Sequence, residues 1–485
     1  MRNFDVVILG GGSGAEAALA PLVAAGLSVA IVEGNRVGGE CAYVACMPSK
    51  ALLRAAGVRA VLRGARELGA VASAPQLEGS AADYAVAVGR RDRVAAERDD
   101  TETAAGLTRE GATIIRGWGR VVRPGVLTVD ARQTVAADTV GGEPAGEEIG
   151  YTDLVVDTGS DPIRPPIEGL DDVPTWSSDQ ALSSPELPRS LIVLGGSAVG
   201  CELAQIYAAF GVRVVIVEVA PRLIAKEEPA VANLLAEALR EDDGIDLRIG
   251  VKAVRAEPLA AGGVRLHLED GSTLEAERLL IAAGRRPTVA RIGLEALGIS
   301  PNDAGALAVT EHCRVVGEEH VWACGDVTGI APYTHTANYQ GAVLADNLAG
   351  RTRVADYRAI PRAVYTDPAV ASVGLSGAAA REAGIDVVSA SFDLTELPRA
   401  AAEGTRRGLL VLQGDRRART LVGMSAVGPN VDDLVGEAAL AIQARVPLEV
   451  FAAVIHPFPS FGQAFEPPLR ELVDQLGPGG SPEGR

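Results

Sequence analysis

The sequence predicts an α/β protein: two nucleotide-type β-α-β units and a smaller C-terminal α+β domain. Three observations predict it. In residues 4–33 and again in 190–218, a short apolar run ends at a glycine cluster, leads into a helical stretch and is followed by a second apolar run ending in an acid. After Ile360-Pro361 the pattern changes to short hairpin-like runs mixed with helices. The length, 485 residues, suits about three domains at roughly 100 to 200 residues each.

Taken in order, Phe4 to Leu9 reads as a buried parallel strand, Gly10 to Gly14 as a tight turn, the Ala-rich stretch after it as a helix, and Leu27 to Glu33 as the next strand. Pro48 to Leu68 and Ala81 to Glu110 read as helices. Short strands then lead to Leu154–Pro166, whose Pro-rich end marks a crossing between domains. From Ser190 the first grammar repeats: a strand, a glycine turn from Gly195 to Gly200, a helix through Phe210, and the strand Val212 to Glu218. Asp270-Gly271 signals a hairpin, and the last region ends with a helix from Val431 to Ala444. The Gly/Pro/Ser-rich tail 477–485 reads as disordered.

Composition narrows the function classes. Hydrophobic residues at 47% and charged residues at 22% fit a globular chain with a sizeable core. A net charge of −18 repels phosphate backbones and anionic lipid, so neither nucleic acid nor a membrane surface is an expected partner. With no run of 18 apolar residues and no apolar leader segment, the reading is a soluble, cytoplasmic protein. Five cysteines are too few for a secreted disulfide scaffold, so their spacing carries the meaning.

Gly10-x-Gly12-x-x-Ala15 follows a strand and opens a helix. Gly10 permits the tight turn, Gly12 lets backbone approach a pyrophosphate, Ser13 and Gly14 complete the phosphate-facing turn, and Ala15 allows close helix packing. Glu33, at the end of the next strand, has the position of an acid that binds ribose hydroxyls. The second unit reads Gly195-x-Ser197-Ala198-Val199-Gly200, with Glu218 beyond it. Serine in place of the middle glycine crowds the backbone, although its hydroxyl can hydrogen-bond a phosphate. Glu218 accepts from a free 2′-hydroxyl and repels a 2′-phosphate, which favours NADH; Arg213 and Arg222 are the counter-signal toward NADPH.

Gly39-Glu40-Cys41-Ala42-Tyr43-Val44-Ala45-Cys46 runs into a helix that carries Lys50. Cys-x4-Cys ahead of a helix can bring two sulfurs together, and the positive helix N-terminus with Lys50 lowers a thiol pKa. No second Cys/His pair stands at finger spacing, so no metal site is expected.

With these motifs the chain resembles the class I flavoprotein disulfide reductases, the group of lipoamide dehydrogenase, glutathione reductase and mercuric reductase. The segment VVDTGSDP, with Thr158 and Gly159, looks like the family's ATGSxP segment, and Gly284-Arg285-Arg286-Pro287 like its GRxPN segment. Ala323-Cys324-Gly325-Asp326 looks like the second FAD-binding stretch, whose aspartate holds the ribityl chain. Thr334 and His335 follow it and would line the flavin. The resemblance implies Cys41 as interchange thiol, Cys46 as charge-transfer thiol against the flavin, and a Lys50–Glu202 pair beside flavin N5. Cys201, Cys313 and Cys324 match no redox position and read as small core residues. It also implies a homodimer with a shared active site and three Rossmann-type or interface domains: an FAD domain of residues 1–160 and 286–357, an NAD(P) domain of 161–285, and a dimerisation domain of 358–476.

One segment departs from the family pattern. The family's C-terminal signature, His-Pro-Thr-x-x-Glu, supplies a His-Glu dyad that moves the proton of the interchange thiol, whereas here the segment is Ile455-His456-Pro457-Phe458-Pro459-Ser460-Phe461-Gly462-Gln463. Aligning Pro459-Ser460 with Pro-Thr puts Phe458 at the base and Gln463 at its orienting acid. Aligning His456-Pro457 instead keeps the histidine and puts Phe461 where the glutamate belongs. A phenyl ring neither accepts nor donates a proton and lowers the local dielectric. The expected function is an NADH:disulfide-type oxidoreductase lacking the usual base, acting on a small disulfide or thioether substrate or another small acceptor. Alternatives are direct reduction of quinones, chemistry like that of 2-oxopropyl-coenzyme M reductase/carboxylase, a dihydrolipoyl dehydrogenase with His456 as the base, and a redox-sensing flavoprotein.

Overall fold

The computed structural model describes residues 1–73, 77, 79–130 and 146–477. From residue 478 on, the tail expected to be disordered lies outside the described residues. The chain forms two compact units: Met1–Pro48 with Arg90–Ile163 and Gly284–Asp356, and Ser49–Gly89 with Arg164–Ala283 and Tyr357 onward.

The first unit is built on a mixed sheet in the order Ala112–Arg116, Val29–Glu33, Arg2–Leu9, Glu147–Val156, Val126–Asp130, Trp118–Arg123. The first four strands run parallel. Val6, Val7, Ile8 and Leu9 are all buried, the continuous apolar run of a strand covered on both faces. The C-terminal half of Glu147–Val156 also pairs in parallel with Val321–Ala323. Helix Ser13–Ala24 buries Ala15, Ala18, Leu19 and Leu22, with each buried leucine contributing roughly 1.5–3 kcal/mol of transfer free energy. Helix Thr334–Leu348 lies against it, closely enough that a Cβ on Gly341 would collide with the carbonyl oxygen of Gly14.

In the second unit the repeated grammar gives a parallel sheet in the order Asp246–Ile249, Arg213–Glu218, Ser190–Leu194, Arg278–Ile281, Thr175–Trp176. Strands Val264–Leu268 and Thr273–Ala276 form the hairpin expected at Asp270-Gly271, where Gly271 has φ +84°. The C-terminal region is a five-stranded antiparallel sheet, Pro361–Val364, Ala369–Gly374, Thr420–Gly428, Leu409–Asp415, Val387–Asp393. Helices Val431–Gln443 and Glu466–Leu476 bury Val435, Ala438, Leu469 and Leu472 in the same core.

Two helical expectations are adjusted. The helix expected from Pro48 spans Cys46–Gly64, so Cys46 is its first residue. The stretch Ala81 to Glu110 is two α-helices, Ala81–Val94 and Thr101–Arg109, because Ala96, Glu97 and Arg98 take left-handed φ and Asp99 then accepts from the Thr101 amide at 2.9 Å. Among the described residues no helix is long and apolar enough to cross a membrane.

Candidate functional site

In the first unit the glycine turn is a cradle that side chains would fill. Gly10 has φ +98°, and a Cβ there would run into the carbonyl oxygen of Asp157. At Gly12 a Cβ would stand 3.2 Å from Asp157 Oδ2, and Gly39, at φ +71°, would place one 3.2 Å from Gly12 Cα. The turn therefore presents bare backbone at the N-terminus of helix Ser13–Ala24, where amide donors and the helix dipole favour a phosphate. Glu33 accepts the Gly11 amide at 2.7 Å and the Asn35 amide at 2.5 Å, leaving part of its carboxylate for ribose hydroxyls. Burial pushes its pKa up, against those amides and Arg116. This donor set and its open backbone fit a dinucleotide such as FAD.

The same unit holds both cysteines. The Met47 amide donates to the Cys41 carbonyl at 3.0 Å, closing the turn that ends at Cys46. Cys46 Sγ lies 3.9 Å from Thr334 Oγ1, on the first residue of helix Thr334–Leu348. His335 stacks on Tyr333 with ring centroids 5.2 Å apart. Thr336, one residue further, has a buried hydroxyl oxygen with no hydrogen-bond partner among the described residues. Asp326 accepts from Ser160 Oγ at 2.5 Å; Ser160 Oγ in turn accepts from Arg285 Nε at 2.8 Å, and Arg285 reaches Glu40 at 2.6 Å. A polar chain thus runs from the Gly325-Asp326 turn to the residue before Cys41. Gly325, Gly159 and Gly284 all take positive φ, and Thr158 Oγ1 donates to the Thr288 carbonyl at 2.6 Å, fixing the crossing.

In the second unit, Gly195 has φ +114° and a Cβ on Gly200 would meet the Gly195 carbonyl oxygen, so this turn too is open on its outer side. Ser197 is the N-cap of helix Ala198–Ala209: its hydroxyl donates to the Ala282 carbonyl at 3.2 Å and lies 3.5 Å from the Gly200 amide. Ala198 and Val199 follow in the helix's first turn. Glu218 accepts the Gly196 amide at 2.5 Å and the Ala220 amide at 2.6 Å. Arg213 is exposed, and Arg222 donates to the Ala225 carbonyl at 2.8 Å.

Lys50 and Glu202 are brought together as expected, at 2.9 Å. Glu202 is only 5% exposed and also accepts from Ser49 Oγ at 2.8 Å and the Tyr365 amide at 3.0 Å. Lys50 Nζ stands 4.5 Å from the centre of the Tyr365 ring. A buried carboxylate is tolerated here because three donors meet it.

The C-terminal segment gives His456, Phe458 at the base position and Gln463 at the position of the orienting acid different surroundings. The His456 side chain is 6% exposed and sits between two carboxylates, Glu437 at 3.2 Å and Glu466 at 3.5 Å. Phe458 is 74% exposed. Gln463 accepts the Ser460 amide at 3.2 Å and so closes the turn at the head of Phe461–Phe465.

Sequence reasoning missed several residues here. Glu40, Ser49 and Tyr365 join the networks through partners more than 150 positions away in the chain, which no local pattern signals. Glu16, in the first turn of helix Ser13–Ala24, has its pKa raised by burial and then by Cys41 and Glu110. Asp157 is buried, its Oδ2 accepting the Ala15 amide at 2.9 Å. Its signal was in the sequence: an acid stands where the segment it resembles has alanine.

Known proteins resemble this chain over nearly its whole length. The profile of the family described as "Pyridine nucleotide-disulphide oxidoreductase" matches residues 4–341, and that of its dimerisation domain matches residues 360–468. A dihydrolipoyl dehydrogenase of Thermus scotoductus is 33% identical over 98% of each chain. A mercuric reductase of Streptomyces lividans is 32% identical over 96% of this chain and 95% of its own. Among solved structures, the HOCl-induced flavoprotein disulfide reductase RclA from Escherichia coli superposes with a TM-score of 0.82 at 25% identity, over 96% of this chain and 99% of its own. LpdA from Mycobacterium tuberculosis shares the fold, with a TM-score of 0.84 at 24% identity over 98% and 100% of the two chains.

Proposed function

The chain belongs to the pyridine nucleotide-disulphide oxidoreductase family of FAD-dependent enzymes and carries that family's dimerisation domain, and on this premise we propose that it is a homodimeric NADH:disulfide-type oxidoreductase with Cys41 and Cys46 as its redox pair. The observation that supports it most is the placement of Cys46 Sγ 3.9 Å from Thr334, in the unit that also holds the glycine cradle.

Bound FAD supplies a two-electron relay between nicotinamide and disulfide. The residues do the rest. The positive N-terminus of helix Thr334–Leu348 favours a thiolate at Cys46. Cys41 is the sulfur that exchanges with substrate. The polar chain through Asp326, Ser160 and Arg285 orients Glu40 and with it the loop before Cys41. Lys50, held by Glu202, supplies a fixed positive charge. Glu218 selects the nicotinamide cofactor with a free 2′-hydroxyl.

Proton movement at Cys41 is where this reading leaves the family pattern. Phe458 carries no proton, Gln463 is committed to the Ser460 amide, and His456 Nε2 is hydrogen-bonded to Glu437. A small acceptor that needs no positioned base at the enzyme suits this segment better than a dithiol that must be deprotonated. The lack of a base in this segment also suits a second reading, direct reduction of quinones at the flavin, which needs no thiol proton moved.

An NADH-oxidation screen across disulfides, quinones, metal ions and thioether ketones, run on wild type and Cys41→Ser, tests both readings. Turnover that depends on Cys41 supports the disulfide route, whereas a rate unchanged in Cys41→Ser rejects it for the quinone route. Cys46→Ser is expected to abolish a long-wavelength thiolate-to-flavin absorption band that Cys41→Ser retains.

A further inference from the structure

Asp157 stands beneath the phosphate-facing glycine turn, at the end of strand Glu147–Val156, and is 7% exposed. Its Oδ2 accepts the Ala15 amide at 2.9 Å. Its Oδ1 is close enough to the turn that a Cβ on Gly14 or on Gly325 would come within 2.8 and 2.9 Å of it. The carboxyl is thus wedged between the loop expected to hold the FAD pyrophosphate and the Cys324-Gly325 turn.

Two donors meet it, the Ala15 amide at the head of helix Ser13–Ala24 and the Cys324 thiol, while the rest of its surroundings disfavour a charge. The glycine turn offers one hydroxyl, on Ser13, and the helix it opens carries Glu16 in its first turn. From the end of strand Val29–Glu33 comes Glu33, and from the Gly325–Thr328 turn Asp326; these acids are its largest charged influences. Cys324 bonds to it, with Cys313 behind. Helix Thr334–Leu348 presents Ala337 and Gln340 to the same turn, neither ionisable. Burial, then Asp326 and Glu33, push its pKa up to about 8 against the Ala15 amide and the Cys324 thiol. FAD would add two phosphate charges at the other side of the turn.

We propose that Asp157 is a proton-carrying positioning residue for FAD: it buttresses the phosphate turn as a neutral acid, and FAD binding above neutral pH takes up one proton onto it. With Oδ2 accepting from Ala15, the proton belongs on Oδ1. The balance is one proton taken from solvent as FAD binds and one returned as it leaves, with no change in oxidation state. Linkage then makes the dissociation constant rise as pH rises past the carboxyl's pKa in the free protein, by up to about tenfold per pH unit. The inference rests on the FAD reading of the cradle.

The test measures FAD affinity of apoprotein by flavin fluorescence from about pH 6 to about pH 9, for wild type, Asp157→Asn and Asp157→Ala. Wild type is expected to bind with a constant level up to about pH 8 and to weaken nearly tenfold by about pH 9. Asn keeps the acceptor for Ala15 and cannot ionise, so its affinity should stay flat and exceed that of wild type at the alkaline end. A flat wild-type profile, or an Asn variant that weakens as wild type does, overturns the proposal. Should the variants fail to fold, calorimetry of wild type in buffers of different ionisation enthalpy reads the proton directly: uptake near one at the alkaline end supports the proposal, and no uptake overturns it. Wild type that binds no FAD at any pH would overturn the cradle reading as well, which separates the two failures.

Discussion

Glu218 accepts the amide proton of Gly196, 22 residues before it, just as Glu33 accepts that of Gly11 across the same interval. In both turns a second amide, of Ala220 or Asn35, takes the other oxygen. The chain thus builds one device twice: the acid ending the second strand ties down the glycine turn and keeps its remaining lone pairs free.

That device predicts the nicotinamide preference. A 2′-phosphate would lose a hydrogen bond to Glu218 and meet its charge, together about 1–3 kcal/mol. We expect kcat/KM for NADH to exceed that for NADPH by about 5- to 150-fold. Glu218→Ala should shrink the ratio while weakening both cofactors, since the Gly196 tie is lost too. Equal or better kinetics with NADPH would shift the selection to Arg213 and Arg222, whose guanidinium Nε is buried without a hydrogen-bond partner.

Gly341 is a second point of leverage. A Cβ there meets the Gly14 carbonyl oxygen, which is backbone and cannot swing aside. Gly341→Ala should force helices Ser13–Ala24 and Thr334–Leu348 apart, at a cost of about 1–3 kcal/mol. The expected outcome is a lower melting temperature and less than one FAD retained per protomer after gel filtration. Gly57, with open space around it in helix Cys46–Gly64, is the control: alanine there should leave retention unchanged.

What the sequence disclosed is what short range encodes. Both β-α-β units, the hairpin at Asp270-Gly271 and the Cys41-to-Cys46 turn are set by neighbours within a few dozen residues, and periodicity with glycine placement reports them. Long-range pairing stays silent. Asp157 becomes a buried acid only because Glu147–Val156 docks beside Arg2–Leu9, which brings it to Ala15 from 142 positions away. Glu40 meets Arg285 across 245 positions. Neither register of the C-terminal segment gives a His-Glu dyad in sequence, and in the fold His456 lies between Glu437 and Glu466 while Phe458 is exposed.

The Lys50–Glu202 pair predicts a stability effect separable from catalysis. Removing Lys50 leaves the Glu202 carboxylate with Ser49 and Tyr365 alone. Breaking a fully buried pair costs about 3–5 kcal/mol, and the partial exposure of Lys50 lowers the expectation for Lys50→Met to about 1–3 kcal/mol. Glu202→Gln in the same chain should recover part of that loss, because the neutral amide no longer needs the ammonium. Chemical denaturation of the four members of the cycle measures the coupling. Additive losses would show that the pair contributes nothing to the fold.

Dihydrolipoamide should be a poor substrate, and Phe458→His with Gln463→Glu should improve it. A positioned base typically contributes about 10²- to 10⁴-fold, so its absence leaves a large deficit. The geometry suits the exchange. A glutamate at 463 can still accept the Ser460 amide that Gln463 accepts now. Phe458→His alone should gain less, because nothing sets the ring's tautomer and orientation. His456→Gln separates the remaining possibility: if His456 were the base, its loss would lower the rate on dihydrolipoamide by the full factor, whereas a histidine held by Glu437 for structure should shift the melting temperature instead. Wild-type turnover of dihydrolipoamide at tens per second or more, within the usual range of efficient enzymes, would overturn the reading of Phe458 and return the proton path to His456 or another group.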